Sequence, residues 1–385
     1  MVGSPSAAVF RRPLSITPAS VIVVCVAALV SLGLVVLFSA SSPINKGVPY
    51  AFLYKQLIFL AGAIGAGWLV AIADLEQLRR FAWVFAGISL VLLVLVLLGR
   101  PINGSRRWLN IAGLGLQPSE LAKVALVFSL AHYLAVNQSQ LHDFWRGFVI
   151  TLAWVGLFAL LAIVEPDYGA AMLLGAIGVV LLFLAGARLK FLLPSISLAL
   201  TGFALLVLTN PVRLQRVLSF LDPEANRQGS SYQPWQALLA FAAGGVDGVG
   251  LGNGRQQNAF LPEAHTDYIF AIMGEEMGLI FTLLTVGLFV TIFIAGLMHV
   301  RRAPNLFQFL LVTGCVLLIT FQAIINLGVV TSLLPSKGMS LPFISAGGSN
   351  LLLMGILVGI IINSQRTWER PKPLVRKRAL TEVIA

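Results

Sequence analysis

Leu261-Pro-Glu-Ala-His-Thr-Asp267 runs directly into a long apolar stretch. An acidic group, Asp267, therefore stands where polar chain meets chain that prefers hydrocarbon. An ionisable side chain at such a boundary is costly and by default functional. A carboxylate held there can take a proton from a molecule presented by the membrane.

Two more charges stand inside an apolar run. Glu120 and Lys123 are three residues apart, so on a helix they share a face and can pair. Removing one partner strands the other, at roughly 3–5 kcal/mol. Such a pair can lock a bundle. It can also line a substrate cavity or a proton path, and the spacing does not separate these readings. In Glu165-Pro-Asp167, between two apolar runs, Asp167 is placed to cap the next helix. Glu275 and Glu276 lie about two helical turns beyond Asp267 and require a polar partner inside the bundle. His265 reads as a hydrogen-bonding residue, and no set of side chains has metal-ligand spacing.

The elements that position these groups follow from composition. Of 385 residues, 58% are hydrophobic and 11% charged, with a mean hydropathy of +0.91. A soluble domain carries about a quarter charged residues. The chain reads as an all-α polytopic membrane protein, since a span needs about 20 mostly apolar residues. Ten runs qualify, near 19–41, 50–72, 80–99, 118–136, 147–164, 168–187, 189–209, 268–298, 306–334 and 342–363. The first is too long for a signal-peptide core and reads as a retained span. The eighth and ninth exceed a bilayer thickness and are expected to tilt or project. The expected layout is an N-terminal segment 1–18, a bundle of ten transmembrane helices over 19–363, and a basic tail 364–385. A large extracytoplasmic loop, 210–267, joins helices seven and eight. Cys25 and Cys315 lie in apolar runs, where a thiol behaves as a small hydrophobe.

The net charge is +11. No aromatic-basic nucleic-acid motif accompanies it, so membrane lipids rather than nucleic acid are the expected partners. Arg11, Arg12, Arg79, Arg80, Arg146, Arg188, Lys190, Arg301, Arg302 and the tail fall on alternate connections. That pattern places both termini in the cytoplasm. Arg106, Arg107, Arg213, Arg216, Arg227, Arg255 and Lys337 fall on the other side, against the bias. Outer-leaflet headgroups would attract them, and so would a site for an anionic headgroup such as a pyrophosphate. Loops beyond about 12–15 residues are often functional, and 210–267 is much longer. Within it, 232–243 is expected as a short helix lying in the interface, ended by Gly244-Gly245. Gly248, Gly250, Gly252 and Gly254 are expected to let the backbone turn sharply and approach a ligand. Without a βαβ unit they are not a nucleotide fingerprint. Between spans nine and ten, Gly347, Gly348 and Ser349 permit close packing or a broken helix. Irregular backbone at that depth must be buried or line a cavity, with Lys337 at the cavity's outer edge.

In order and spacing, six motifs resemble the SEDS family (shape, elongation, division and sporulation), which includes FtsW, RodA and SpoVE. They are Gly104-Ser-Arg-Arg-Trp-Leu109, Gln117-Pro-Ser-Glu-Leu-Ala-Lys123, Glu165-Pro-Asp-Tyr-Gly169, Leu261-Pro-Glu-Ala-His-Thr-Asp-Tyr-Ile-Phe270, Gly274-Glu-Glu-Met-Gly278 and Leu341-Pro-Phe-Ile-Ser-Ala-Gly-Gly-Ser349. The resemblance covers nearly all ten spans. It implies a peptidoglycan glycosyltransferase of the bacterial plasma (inner) membrane. Such an enzyme polymerises lipid II, a disaccharide-pentapeptide on undecaprenyl pyrophosphate, into glycan strands and releases undecaprenyl pyrophosphate. The implied partners are lipid II, a class B penicillin-binding protein (an FtsI-like transpeptidase), other divisome proteins and membrane lipids. The family's essential loop aspartate falls on Asp267, its span-four acid and base on Glu120 and Lys123, and its Arg-Trp position on Arg107. Asp267 would then be the general base. Arg107, with Arg106 and Lys337, would meet the leaving pyrophosphate. The 232–240, 248–253 and 261–267 stretches look more like the division-type member, which implies septal synthesis. Ala346, Ala259 and Gly115 depart from common family patterns. A RodA-like elongation polymerase and a lipid II flippase or transporter remain alternatives. The flippase would need polar groups leading to the cytoplasmic face, and few are present. No cofactor is required, because the pyrophosphate ester supplies the driving force. A divalent cation (Mg or Mn) bridging pyrophosphate and Asp267 is compatible with this chemistry, although no ligand motif indicates one.

Overall fold

Runs of Leu, Val, Ile, Ala and Phe that enter hydrocarbon must satisfy their own backbone, and the α-helix does so within one segment. The computed structural model describes residues 17–41, 50–99, 106–111, 114–141, 143–229, 231–256 and 260–368. Arg11, Arg12, Gly104, Ser105, Ala259 and the tail beyond Trp368 lie outside the described residues. The first helices are α1 (Pro18–Ser41), α2 (Ala51–Ile72), the short α3 (Leu75–Arg79) and α4 (Ala82–Leu97). A hairpin follows, β1 (Leu109–Ile111) with β2 (Leu114–Leu116). Next come α5 (Pro118–Val136), α6 (Ile150–Val164, entered through a π turn Phe144–Val149), α7 (Tyr168–Leu184) and α8 (Leu189–Leu208). The remaining helices are α9 (Pro211–Leu221), α10 (Tyr232–Gly244), α11 (Ile269–Val300), α12 (Leu306–Val330) and α13 (Gly348–Trp368).

Among the described residues, eight helices are long and apolar enough to cross a membrane: α1, α2, α5, α6 with its π turn, α8, α11, α12 and α13. The third and sixth expected spans are occupied by shorter apolar helices, α4 with 16 residues and α7 with 17. The hairpin was not anticipated. Its strands pair antiparallel, Leu109 with Leu116 and Ile111 with Leu114.

The centre of the bundle is α5 against α12, both buried over most of their length, while α8 buries little. Leu126, Leu130 and Leu134 of α5 are fully buried in one cluster with Leu311, Val312, Cys315 and Leu318 of α12. Small residues bring α2 and α13 close. A side chain on Gly355 or Gly359 would strike the α2 backbone at Ala63 or Gly67, the mode of contact expected between helices in lipid. Cys25 and Cys315 are buried free thiols.

The long eighth run contains a break. α11 leaves helical geometry at Gly278 (φ 75, ψ −169). A break orphans backbone groups, and the preceding loop supplies their partners. Val249 N–H donates to Glu275 O at 2.9 Å and Gly250 N–H to Glu276 O at 3.0 Å. Leu279 N–H donates to Gly245 O at 3.0 Å and Val246 O at 3.1 Å. The loop fits because Gly248 and Gly250 take left-handed φ values of 79 and 91, and a Cβ on Gly248 would run into the Glu276 carbonyl. The glycines turn sharply as expected, and Gly248 and Gly250 approach the protein's own helix. Similarly, α10 does not simply lie in the interface. Pro234, Ala237, Ala240 and Gly244 are buried, and the Phe241 ring meets Phe270 of α11 at 5.7 Å.

α12 stops at Val330 and α13 begins at Gly348, so the tenth helix starts later than the expected 342. The connection is non-helical, and its part at 341–345 is buried, with Leu341 and Ile344 fully enclosed. This meets the condition for irregular backbone at membrane depth.

Candidate active site

Asp267 ends the turn-rich segment that enters α11, and Tyr268 is the residue just before the helix. The segment is held by backbone bonds. Asn326 Nδ2 of α12 donates to Asp267 O at 2.8 Å and to Met339 O at 2.6 Å. Ala346 N–H donates to His265 O at 3.0 Å, and the His265 ring rests on Phe52 at 4.7 Å. The Asp267 carboxylate abuts Gly338, where a Cβ would lie 2.5 Å from Oδ2. Only glycine leaves that face open.

Asp267 is half-buried, and its electrostatics are decided by that position. Burial raises its pKa to about 7; Glu263 adds to the rise, Arg107 opposes it and Asp167 adds a little more. Desolvation outweighs the arginine, a balance that composition could not settle. Lys337 is brought down to about 8, chiefly by burial, with Asp167 opposing and Arg107 and Arg216 assisting. Glu165, fully buried with no partner for either carboxylate oxygen, is raised to about 8 by burial and by Asp167, against Arg107. These groups feel one another's charge, so Asp267, Asp167, Arg107, Arg216 and Lys337 form one electrostatic cluster.

Arg107 is anchored to the turn between α6 and α7. It donates to Glu165 O at 3.3 Å and to Pro166 O. Asp167 caps α7 through Ala170 N–H at 3.1 Å and accepts Ser119 Oγ at 2.9 Å and Gln117 Nε2 at 3.0 Å. The first bond is the cap expected from the sequence; the other two tie α7 to the start of α5. Arg106 points elsewhere: it is exposed and donates to Leu97 O at the end of α4, at 2.8 Å.

Beside this cluster lies a cleft of about 190 Å³ between α7, α8, α9 and α12. Arg213, Arg216 and Lys337 line it, and no acidic residue does; Phe203, Leu206, Val207 and Val329 give it apolar walls. Arg213 bonds the Tyr168 hydroxyl and stacks on its ring, 4.2 Å from the centroid. Lys337 Nζ stands 5.6 Å from the ring centroids of both Tyr168 and Phe203. One wall of the cleft is cationic and the other is suited to hydrocarbon.

Glu120 lies in the first turn of α5 and Lys123 about one turn further along. They pair at 2.7 Å and are nearly sealed from solvent. Lys123 Nζ also donates to Gln322 Oε1 at 2.9 Å, and Asn350 Nδ2 donates to Glu120 Oε2 at 3.1 Å. Gln322 Nε2 donates to Ser340 O at 3.0 Å, next to the Met339 carbonyl held by Asn326. The ion pair thus joins the Asp267 segment through a continuous set of hydrogen bonds. Sequence reasoning missed Gln322, Asn326 and Asn350 and read Ser349 only as a small residue, although two amides four residues apart on an apolar run do share a helix face. Ser349 stitches the hairpin to α13, donating to Gly115 O at 3.1 Å and accepting Gln117 N–H at 3.0 Å. Among the described residues no group of three His, Cys, Asp or Glu converges as a metal site.

The FtsW/RodA/SpoVE family model, described as "Cell cycle protein", matches residues 19–369. A Coxiella burnetii protein named probable peptidoglycan glycosyltransferase FtsW is 39% identical over 350 residues, covering 89% of this chain and 94% of its own. The protein of the same name from Alcanivorax borkumensis is 41% identical over 346 residues, covering 86% and 89%. A solved structure titled "Structural coordination of polymerization and crosslinking by a peptidoglycan synthase complex" superposes with a TM-score of 0.73 at 27% identity, covering 91% of this chain and 98% of that one. With its apolar helices, this chain is a multi-pass bacterial membrane protein and belongs to the FtsW/RodA/SpoVE family.

Proposed function

We propose that this chain is a peptidoglycan glycosyltransferase that polymerises lipid II, with Asp267 as general base. The observation that carries the reading is the pairing of a carboxylate near pH-neutral titration with an adjoining cleft that is cationic and apolar at once. A sugar hydroxyl attacks the anomeric carbon of a second lipid-linked sugar and passes its proton to Asp267. The bond from that carbon to the pyrophosphate oxygen breaks, and undecaprenyl pyrophosphate leaves with the electron pair. Lys337, Arg216 and Arg107 are placed to meet the developing charge. Attack opposite the leaving group inverts the anomeric centre. Mg or Mn, where present, would arrive on the pyrophosphate; this chain's residues need only position the lipid and accept the proton.

The site end of the bundle is proposed to face away from the cytoplasm, with both termini cytoplasmic and the protein working at the septum. The proposed partners are a class B penicillin-binding protein and other divisome proteins, as for FtsW-type relatives. The transporter reading is disfavoured by the interior. Beyond Lys123 and Gln322, α5 and α12 meet through buried apolar side chains, and between Lys123 and His132 of α5 and from Leu306 to Phe321 of α12 no charged side chain occurs. Lipid II incubated with purified protein in detergent, with glycan products resolved on a gel, tests the proposal. Detergent abolishes compartments, so polymer made there cannot come from transport. Pulldown with division-type and elongation-type penicillin-binding proteins tests the septal role.

The rate should depend on pH with a definite sign. The base must be ionised, so kcat/KM should fall about tenfold per unit below pH 7. Above about 8 Lys337 loses its charge and the rate should fall again. A flat profile from pH 5 to 9 would remove both groups from the chemistry. Gly338→Ala should lower polymerisation tenfold or more while lipid II binding persists, because the added methyl would occupy space beside Asp267 Oδ2.

A further inference from the structure

Glu275 and Glu276 are adjacent and buried on the short part of α11 between Asp267 and the Gly278 break. Neither forms an ion pair among the described residues. Each accepts backbone N–H groups from the incoming loop instead. Glu275 Oε1 accepts Arg255 N–H at 2.8 Å, and Oε2 accepts Gln256 N–H at 3.1 Å. Glu276 Oε1 accepts Gly252 N–H at 3.0 Å and the Ser39 hydroxyl of α1 at 2.7 Å. Two ionisable groups at membrane depth are a costly means of holding a loop. Charged acceptors are the strong ones, however, and these loop N–H groups have no helix or sheet ladder to join.

The consequence lies in the chain path. Gln256 to Glu275 is a segment whose two ends are bonded to each other, and Asp267 sits within it. Leu261 N–H returns to Gln256 O at 2.9 Å, so the clasp continues toward the carboxylate. From the other side the Gly245–Gly250 backbone fills the helix break, and α12 holds the Asp267 carbonyl through Asn326.

We infer that Glu275 and Glu276 are positioning residues for Asp267: by clasping 252–256 to the outer part of α11, they fix where the Asp267 carboxylate stands beside the cleft. Its kinetic arm rests on the proposed function; its structural arm does not. A carboxamide keeps the single acceptor oxygen that Glu276 uses, whereas Glu275 accepts on both oxygens, so Gln should replace Glu276 fully and Glu275 only in part.

The test compares Glu275→Ala, Glu276→Ala, Glu275→Gln and Glu276→Gln in the full-length protein. Hydrogen exchange of 250–256 reads the clasp. Carbodiimide labelling of Asp267 against pH, located by mass spectrometry, reads its surroundings, with Glu263, Arg107, Asp167 and Tyr268 facing it in every variant. Polymerisation of lipid II reads the kinetics. The Ala variants should lose protection at 250–256, and the Asp267 labelling midpoint should fall by one pH unit or more. Their kcat should fall tenfold or more with KM within threefold. Glu276→Gln should restore all three within threefold, and Glu275→Gln should fall between its Ala variant and wild type. Loss of protection with an unmoved midpoint would overturn the proposal. A moved midpoint in a protein whose wild type makes no polymer would sink the enzymatic reading and leave the positioning role standing. Should an Ala variant fail to fold, Ser39→Ala removes one donor to Glu276. It should loosen Gly252 and lower the midpoint in the same direction; no shift there, with Gly252 loosened, would overturn the proposal equally.

Discussion

Asp267→Asn is expected to fold, insert and bind lipid II, yet to polymerise it at least a hundredfold more slowly, within the range of about 10²–10⁴ typical of general bases. The same substitution should stabilise the fold at alkaline pH. The folded protein keeps the Asp267 proton up to about pH 7, whereas the ordinary value is 3.8. Between those limits the unfolded chain has released a proton that the folded chain retains, so stability declines as pH rises through the window and stays lower above it. Asn carries no charge at any pH. After allowing for the residue's remaining contact with water, its advantage should be near zero at pH 4 and roughly 1–2 kcal/mol at pH 8. Thermal unfolding at the two pH values and a product gel check both halves. Undiminished polymer would exclude Asp267 from the chemistry, and a lower melting temperature at pH 8 would contradict its electrostatic setting.

Lys123→Met is the second large effect. It leaves Glu120 buried with Asn350 as its remaining partner, and stranded members of buried pairs cost roughly 3–5 kcal/mol. Replacing both charges, as Glu120→Leu with Lys123→Met, should recover only part of that loss. The double variant strands Gln322 Oε1 and Asn350 Nδ2, each at about 1–3 kcal/mol. Thermal unfolding in detergent reads the series. A single variant within about 1 kcal/mol of wild type that has nonetheless lost activity would move the pair from scaffold into chemistry.

The helices were legible because hydrocarbon admits few solutions for a backbone, and apolar runs announce them. The Glu120–Lys123 contact was legible because two opposite charges three residues apart have little choice. Asp267 was legible as a charge at a boundary, but its titration was not. That depends on how much protein surrounds it, on how the nearby Glu263 is turned, and on Arg107 and Asp167 arriving from distant segments. The amides Gln322, Asn326 and Asn350 were missed because a neutral side chain in an apolar run looks tolerable until its partners are known. The Gly248, Gly250 and Gly252 turns were foreseen, but not their contact with α11. No sequence pattern shows that α11 breaks at Gly278 and that the missing bonds come from its own upstream loop.

The aliphatic contact of α5 with α12 has a meaning beyond packing. Between Lys123 and His132 on α5, and from Leu306 to Phe321 on α12, no charged side chain occurs. The hydroxyls of Ser129, Thr313 and Thr320 bond to carbonyls of their own helices. Bacterial membranes store energy as an ion gradient, and in the mechanism proposed above Asp267 gains and sheds a proton with every sugar joined, which would be a hazard to it. Under that mechanism the apolar seam beneath Asp267 would act as an insulator, returning each proton to the face it came from, so that the cell's battery would not discharge through its wall-building machinery.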